Sequence, residues 1–267
     1  MKQMVVASLF DTSGRRIPGA GIGAPVNKAD TRYALAQPPL DYATVHAAIV
    51  EHLGGTDAIS AQEFADRAAT LLGSLQAHDD TAALVNGVHM PFFLATGDPG
   101  DLGATFEGRY LPALSRAWKG RFPKYDFRTE VTGLAGKISV APRSRYERLV
   151  AAMAEGPLVG WYFPLALAGF SVDAALCQMA DLPASVVLSG GFDAAAALTG
   201  CPDLMMKLDG YAPQLDLAAW QAPAAGYAYH FAPYGRNLSF NGRYHNGLAS
   251  DYCASGLTVV ADPQRKK

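Results

Sequence analysis

Ser185-Val186-Val187-Leu188-Ser189-Gly190-Gly191-Phe192-Asp193 is a β-branched run that breaks at two glycines and then enters the alanine-rich segment Ala194-Ala195-Ala196-Ala197. It reads as strand, tight turn and helix. The first N–H groups of a helix lack partners within it and carry the positive end of its dipole, so a glycine turn placed there suits an anion such as phosphate. Ser189, Gly190 and Gly191 are therefore candidate ligand-binding residues, and Asp193 a candidate catalytic carboxylate. Asp193 also has a plainer reading as a helix-capping residue.

Working outward, the same unit recurs. Residues 136–141 are strand-like, and Ser144-x-x-Glu147 forms a capping box for a helix that stops at Gly156-Pro157. Residues 158–163 again read as strand, Ser171 caps a helix to Asp181, and residues 184–189 lead into the helix at Asp193. Such alternation predicts strands paired in parallel through right-handed crossovers. The expected fold is α/β, with a mainly parallel sheet flanked by helices. A C-terminal antiparallel hairpin follows at residues 227–231 and 238–244 around Pro233-Tyr234-Gly235, with a last strand near 257–261.

The N-terminal part reads differently. Met4 to Phe10 is taken as a strand, since its apolar run is too short for a signal peptide, and residues 11–40 are Gly- and Pro-rich loop. Gly19, Gly21 and Gly23 lack the direct strand-to-helix junction of a dinucleotide fingerprint. Helices are expected over 42–53 and from Ser60, where Ser60 and Glu63 make another capping box. Residues 84–95 suggest a strand with an Asn86-Gly87 turn and an edge-favouring Pro91, and residues 102–119 suggest a helix. The chain is expected to form a single domain, with 1–80 a loop-rich, helical portion and 81–267 the α/β core.

Composition limits the partners. With 22 Lys and Arg against 24 Asp and Glu, the formal charge is −2, which lacks the cationic footprint of a nucleic-acid binder. The longest apolar stretch, 158–170, contains Pro164 and falls short of the ~20 residues of a membrane span. Cys177, Cys201 and Cys253 are widely spaced and odd in number, as expected of reduced thiols in a cytoplasmic protein.

If the sheet is parallel, the loops at its carboxyl edge converge. They bring Arg143 and Arg145, the Ser189 to Asp193 turn, and Asp98 and Asp101 together. Guanidinium groups, a glycine turn and short carboxylates suit a phosphorylated ligand, with Asp98 and Asp101 holding Mg²⁺. As purely structural residues, the arginines would be solvated first-turn side chains and the aspartates turn and cap residues. The string from Val186 to Asp193 also resembles the PP-loop of ATP pyrophosphatases, a strand ending in Ser-Gly-Gly-x-Asp that cradles pyrophosphate. That resemblance implies that Ser189, Gly190 and Gly191 form the loop and that the chain adenylates an oxygen such as a carboxylate. The chain departs from the pattern at Ala194, where the family has Ser or Thr, and in carrying the motif late.

A second candidate lies further on. Asn237, Ser239, Asn241, Arg243 and His245 alternate onto one face of a strand, and Asn is a poor strand former. Asn241 and Arg243 are read as ligand-binding and His245 as a general acid or base oriented by a carboxylate such as Asp251, although a solvent-facing strand has the same period. The other histidines, His46, His52, His78, His89 and His230, show no zinc-type spacing. The sequence thus points to an enzyme acting on a small polar, phosphorylated or nucleotide ligand. Its alternatives are a non-catalytic ligand-binding or protein-interaction module, an assembly component, and a PP-loop-like adenylating enzyme. Reaction type and oligomeric state stay open.

Overall fold

The computed structural model describes residues 8–19, 22, 26–27, 33–54 and 59–261. The expected N-terminal strand lies largely outside these; Phe10 makes an isolated bridge to Arg16. The helices are α1 (Tyr42–Leu53), α2 (Ala61–Ala77), α3 (Asp79–Ala82), α4 (Leu102–Thr105), α5 (Leu111–Arg121), α6 (Tyr146–Glu155), α7 (Val172–Gln178) and α8 (Gly191–Gly200), with a π turn, Phe106–Tyr110, joining α4 to α5. Four of them start where a side-chain oxygen satisfies free N–H groups. Asp41 accepts from Ala43 and Thr44, Ser60 from Glu63, Asp101 from Ala104, and Ser171 from Ala174. No helix among the described residues is long and apolar enough to cross a membrane.

The strands are β1 (Met90–Leu94), β2 (Phe127–Thr129), β3 (Ser139–Val140), β4 (Leu158–Ala168), β5 (Val186–Leu188), β6 (Gln214–Asp216), β7 (Trp220–Gln221), β8 (Tyr227–Tyr234), β9 (Asn237–Tyr244) and β10 (Cys253–Val260). Eight of them form one sheet in the order β1-β4-β10-β6-β8-β9-β2, with β5 also paired to β10. The expectation of a mainly parallel sheet is wrong. Only β10 with β6 and β2 with β9 are parallel; the remaining pairs are antiparallel. The reason is the position of β10. It inserts between β4 and β5 and runs antiparallel to both, so these two strands share a direction without touching as a parallel pair. Residues 139–140 leave this sheet altogether and pair with β7. Local alternation of strand and helix carries no trace of a strand arriving from the far end of the chain.

Other local features explain themselves. β4 is an unbroken apolar run because β1 and β10 cover both its edges and its side chains are buried. β1 sits at the sheet edge, where Pro91 removes no necessary ladder bond. Asn86-Gly87 closes a 3₁₀ turn (Ala83–Asn86) instead of a hairpin. α8 is buried along its whole length and lies against β1 and β4, beneath α1 and α5. Its alanines and Gly200 permit that closeness, since a Cβ on Gly200 would stand 2.8 Å from Val45 Cγ1.

Candidate functional site

The hairpin of β8 and β9 does not end the sheet; β6 and β10 extend it on the other side. The registers align Ser255 with Asp216, Asp216 with His230, and His230 with Asn241, so these four form a row across four strands. Directly paired residues project to one face, and residues two apart return to it. Gln214, Cys253, Ser239 and Arg243 therefore share the face of that row. The alternate positions Leu215, Phe231 and Phe240 form a buried apolar row on the other face, where the Phe106 ring lies 5.2 Å from that of Phe240.

At the middle of the polar row three ionisable side chains converge. Asp216, His230 and His245 are 1 %, 3 % and 5 % exposed, and one potential ligand atom from each lies within 4.8 Å of the others. His245 Nε2 is 2.9 Å from Asp216 Oδ1, and the Gln214 amide nitrogen donates to that oxygen at 2.6 Å while standing 3.0 Å from His245 Nε2. On its other side His245 Nδ1 faces the Arg243 carbonyl at 3.1 Å. A carbonyl only accepts, so Nδ1 carries a hydrogen and Nε2 is the nitrogen turned to the cluster, an arrangement that orients many metal-binding imidazoles. Burial holds the His230 imidazole down at about 4, opposed by nearby Asp216, which keeps it neutral around pH 7. Its Nδ1 is buried with no hydrogen-bond partner.

The rim is cationic. Arg243 is half-buried, donates from Nη2 to Cys253 Sγ at 3.4 Å, and stacks over Tyr252 at 5.2 Å, while its Nε has no partner. Burial and Asp216 push the Cys253 thiol up to about 12, so it stays protonated. Asn241, also half-buried, accepts from the Gly242 N–H through its side-chain oxygen.

The glycine turn lies elsewhere and is closed within the protein. Asp193 is fully buried; its carboxylate accepts from the Tyr146 hydroxyl (2.9 Å), the Gly190 N–H (3.0 Å) and the Thr258 hydroxyl (2.5 Å), and Thr258 in turn bonds Ser189 (2.7 Å). Desolvation raises the Asp193 pKa, against the pull of those donors. The Phe192 N–H donates to the Tyr146 hydroxyl, and Trp220 occupies the space beside Gly191, where an added Cβ would be 1.9 Å from its ring. A phosphate at this turn would have to displace those partners.

The other predicted residues are dispersed. Arg145, in the left-handed region at φ 63°, donates to the carbonyls of Pro183, Val186, Leu182 and Met179, tying the start of α6 to the loop before β5. The Ser144 hydroxyl accepts from Tyr146, so α6 begins beyond the expected box. Arg143 is exposed, at φ 70°. Asp98 accepts from Gly100, and Asp101 from Ala104 and Gly136, each closing local backbone.

Compared with known proteins, the chain matches no family model, no curated protein and no solved structure. The site is therefore read from its own geometry. His245 stands on the face expected of it, but its carboxylate partner is Asp216, where the sequence suggested Asp251. Asp216, His230 and Gln214 were missed because they lie on β6 and β8, and only strand register brings them to His245.

Proposed function

We propose that this chain is a metal-binding protein in which Asp216, His230 and His245 hold a divalent transition-metal ion. The observation that supports it most is the buried convergence of two imidazoles and a carboxylate. Burying ionisable groups is costly unless they are paired, and a cation would be held by all three at once. Imidazole favours Zn²⁺ or Fe²⁺ over Mg²⁺, and ligand bonds of about 2.0–2.2 Å need only small side-chain shifts from the present spacing. Gln214 supplies a fourth donor if its amide turns its oxygen inward. Near-complete burial of the ligands favours a closed, structural ion that clamps β6, β8 and the end of β9.

A second reading has its own observation. Arg243 and Asn241 are half-buried beside the cluster, and Arg243 Nε lacks a partner, which supports a small anionic ligand at the rim, as a substrate or as a sensed molecule. The test of the first reading is elemental analysis of protein purified without chelator, for wild type and His230→Ala. About one equivalent of zinc or iron in wild type, lost in the variant, supports it; no transition metal after dialysis against Zn²⁺ defeats it.

A further inference from the structure

The formal charge of −2 conceals one cationic stretch. Residues 116–128 hold five of the chain's 22 Lys and Arg residues, Arg116, Lys119, Arg121, Lys124 and Arg128, against the single acid Asp126. Two of these cations are already engaged: Arg121 grips Asp203 through bonds of 2.8 and 2.9 Å, and Lys119 holds Asp126 at 2.8 Å. Lys124 and Arg128 are exposed and form no ion pair among the described residues.

The fold adds a third such cation and two rings. β2 is the last strand of the sheet and runs beside β9, and the Asp126 N–H donates to Asn237 Oδ1 at 2.7 Å, so the turn between β8 and β9 stands against residues 124–128. There Arg128 stacks over Tyr234, its Cζ 5.5 Å from the ring centre. Arg236 lies 5.9 Å from the ring of Tyr125 and donates to its hydroxyl at 2.9 Å. Tyr234 is 67 % exposed, which leaves ring surface open beyond the guanidinium.

A guanidinium resting on a ring is held in place with its N–H edges free, an arrangement suited to phosphate. The open ring beside it offers a stacking surface for a base. Bases in a duplex have no face to give it, which favours a single strand. A bilayer surface would be met by protruding apolar side chains between the cations, whereas both rings here carry hydroxyls and guanidinium neighbours. Exposed Glu130 and Asp209, the latter close enough to Arg236 to favour its charge, hold the affinity down.

We propose that this end of the sheet binds single-stranded nucleic acid, with Lys124, Arg128 and Arg236 on its phosphates and Tyr234 against a base. The patch shares no residue with the metal centre.

The experiment is fluorescence anisotropy with a labelled oligothymidylate of about twelve nucleotides. Its competitors are a duplex of the same length and vesicles of equal parts phosphatidylserine and phosphatidylcholine, and circular dichroism verifies folding of each variant. Saturable binding with a Kd of about 1–100 μM is expected at about 50 mM salt, weakening about tenfold or more by 200 mM. Arg128→Ala combined with Arg236→Ala should lower affinity at least about tenfold. Tyr234→Ala, which changes no charge at an exposed position, should lower it at least about fivefold. Arg143→Ala, which removes an exposed arginine from the loop before α6, should change it less than about twofold. No binding up to about 100 μM protein, equal or better competition by the duplex or the vesicles, or unchanged affinity in Tyr234→Ala would overturn the proposal.

Discussion

His245 Nε2 lies 2.9 Å from Asp216 Oδ1, and both side chains are almost sealed from solvent. A pair so placed cannot turn to water if one partner is removed. Asp216→Ala should therefore destabilise the metal-free protein by about 3 kcal/mol, because it leaves the buried His245 Nε2 and the Gln214 amide without the carboxylate oxygen that both face. Leu248→Ala, at an exposed position, should change stability by no more than ~0.5 kcal/mol. Urea unfolding in the presence of chelator compares them, and equal midpoints would show that the pair carries no structural weight.

Gly191 tests what the glycine turn is for. Its absent side chain leaves room for Trp220, whose Cη2 would stand 1.9 Å from an added Cβ. Gly191→Ala is expected to cost about 2 kcal/mol or more through overpacking. Combining it with Trp220→Leu should recover part of that loss. Simple additivity of the two changes in a double-mutant cycle would refute the contact.

Asp193 makes stability depend on pH in a definite direction. Its folded pKa lies above the unfolded value of 3.8, so the folded state holds the proton more tightly. The stabilisation this gives is present at low pH, near the unfolded value, and is lost as pH rises through the folded pKa. The stability of wild type relative to Asp193→Asn should thus improve as pH falls through that window. A difference independent of pH would mean that the carboxyl does not titrate differently on folding.

Thiol chemistry separates the cysteines. Burial pushes Cys201 up to about 11 and Cys253 up to about 12, which leaves little thiolate near neutrality. Cys177 is partly exposed. Native protein at pH 7.5 should react with a disulfide reagent first at Cys177, the other two following only on unfolding; mass mapping that finds Cys253 labelled first would contradict this.

The sequence discloses side-chain periodicity better than strand partnership. The alternation from Asn237 to His245 is visible along β9, because period two is a local property. Asp216 and His230 join that face only through the registers of β6 with β8 and β8 with β9, which no spacing between them in the chain records. The same limitation explains the misread sheet. β4 and β5 look like successive parallel strands until β10, some 65 residues beyond β5, is seen to separate them. Arg145 and Asp101 illustrate the reverse case, polar residues at loop positions that serve backbone carbonyls and N–H groups nearby.

The most direct test of the metal centre is X-ray absorption at the zinc edge on protein loaded with one equivalent of Zn²⁺. The spectrum should show only nitrogen and oxygen neighbours at about 2.0–2.2 Å, with imidazole outer-shell scattering corresponding to two histidines. In His230→Ala that scattering should fall to one histidine or the ion should be lost. Sulfur at about 2.3 Å, or the same two-histidine spectrum in the variant, would place the metal elsewhere and contradict the account.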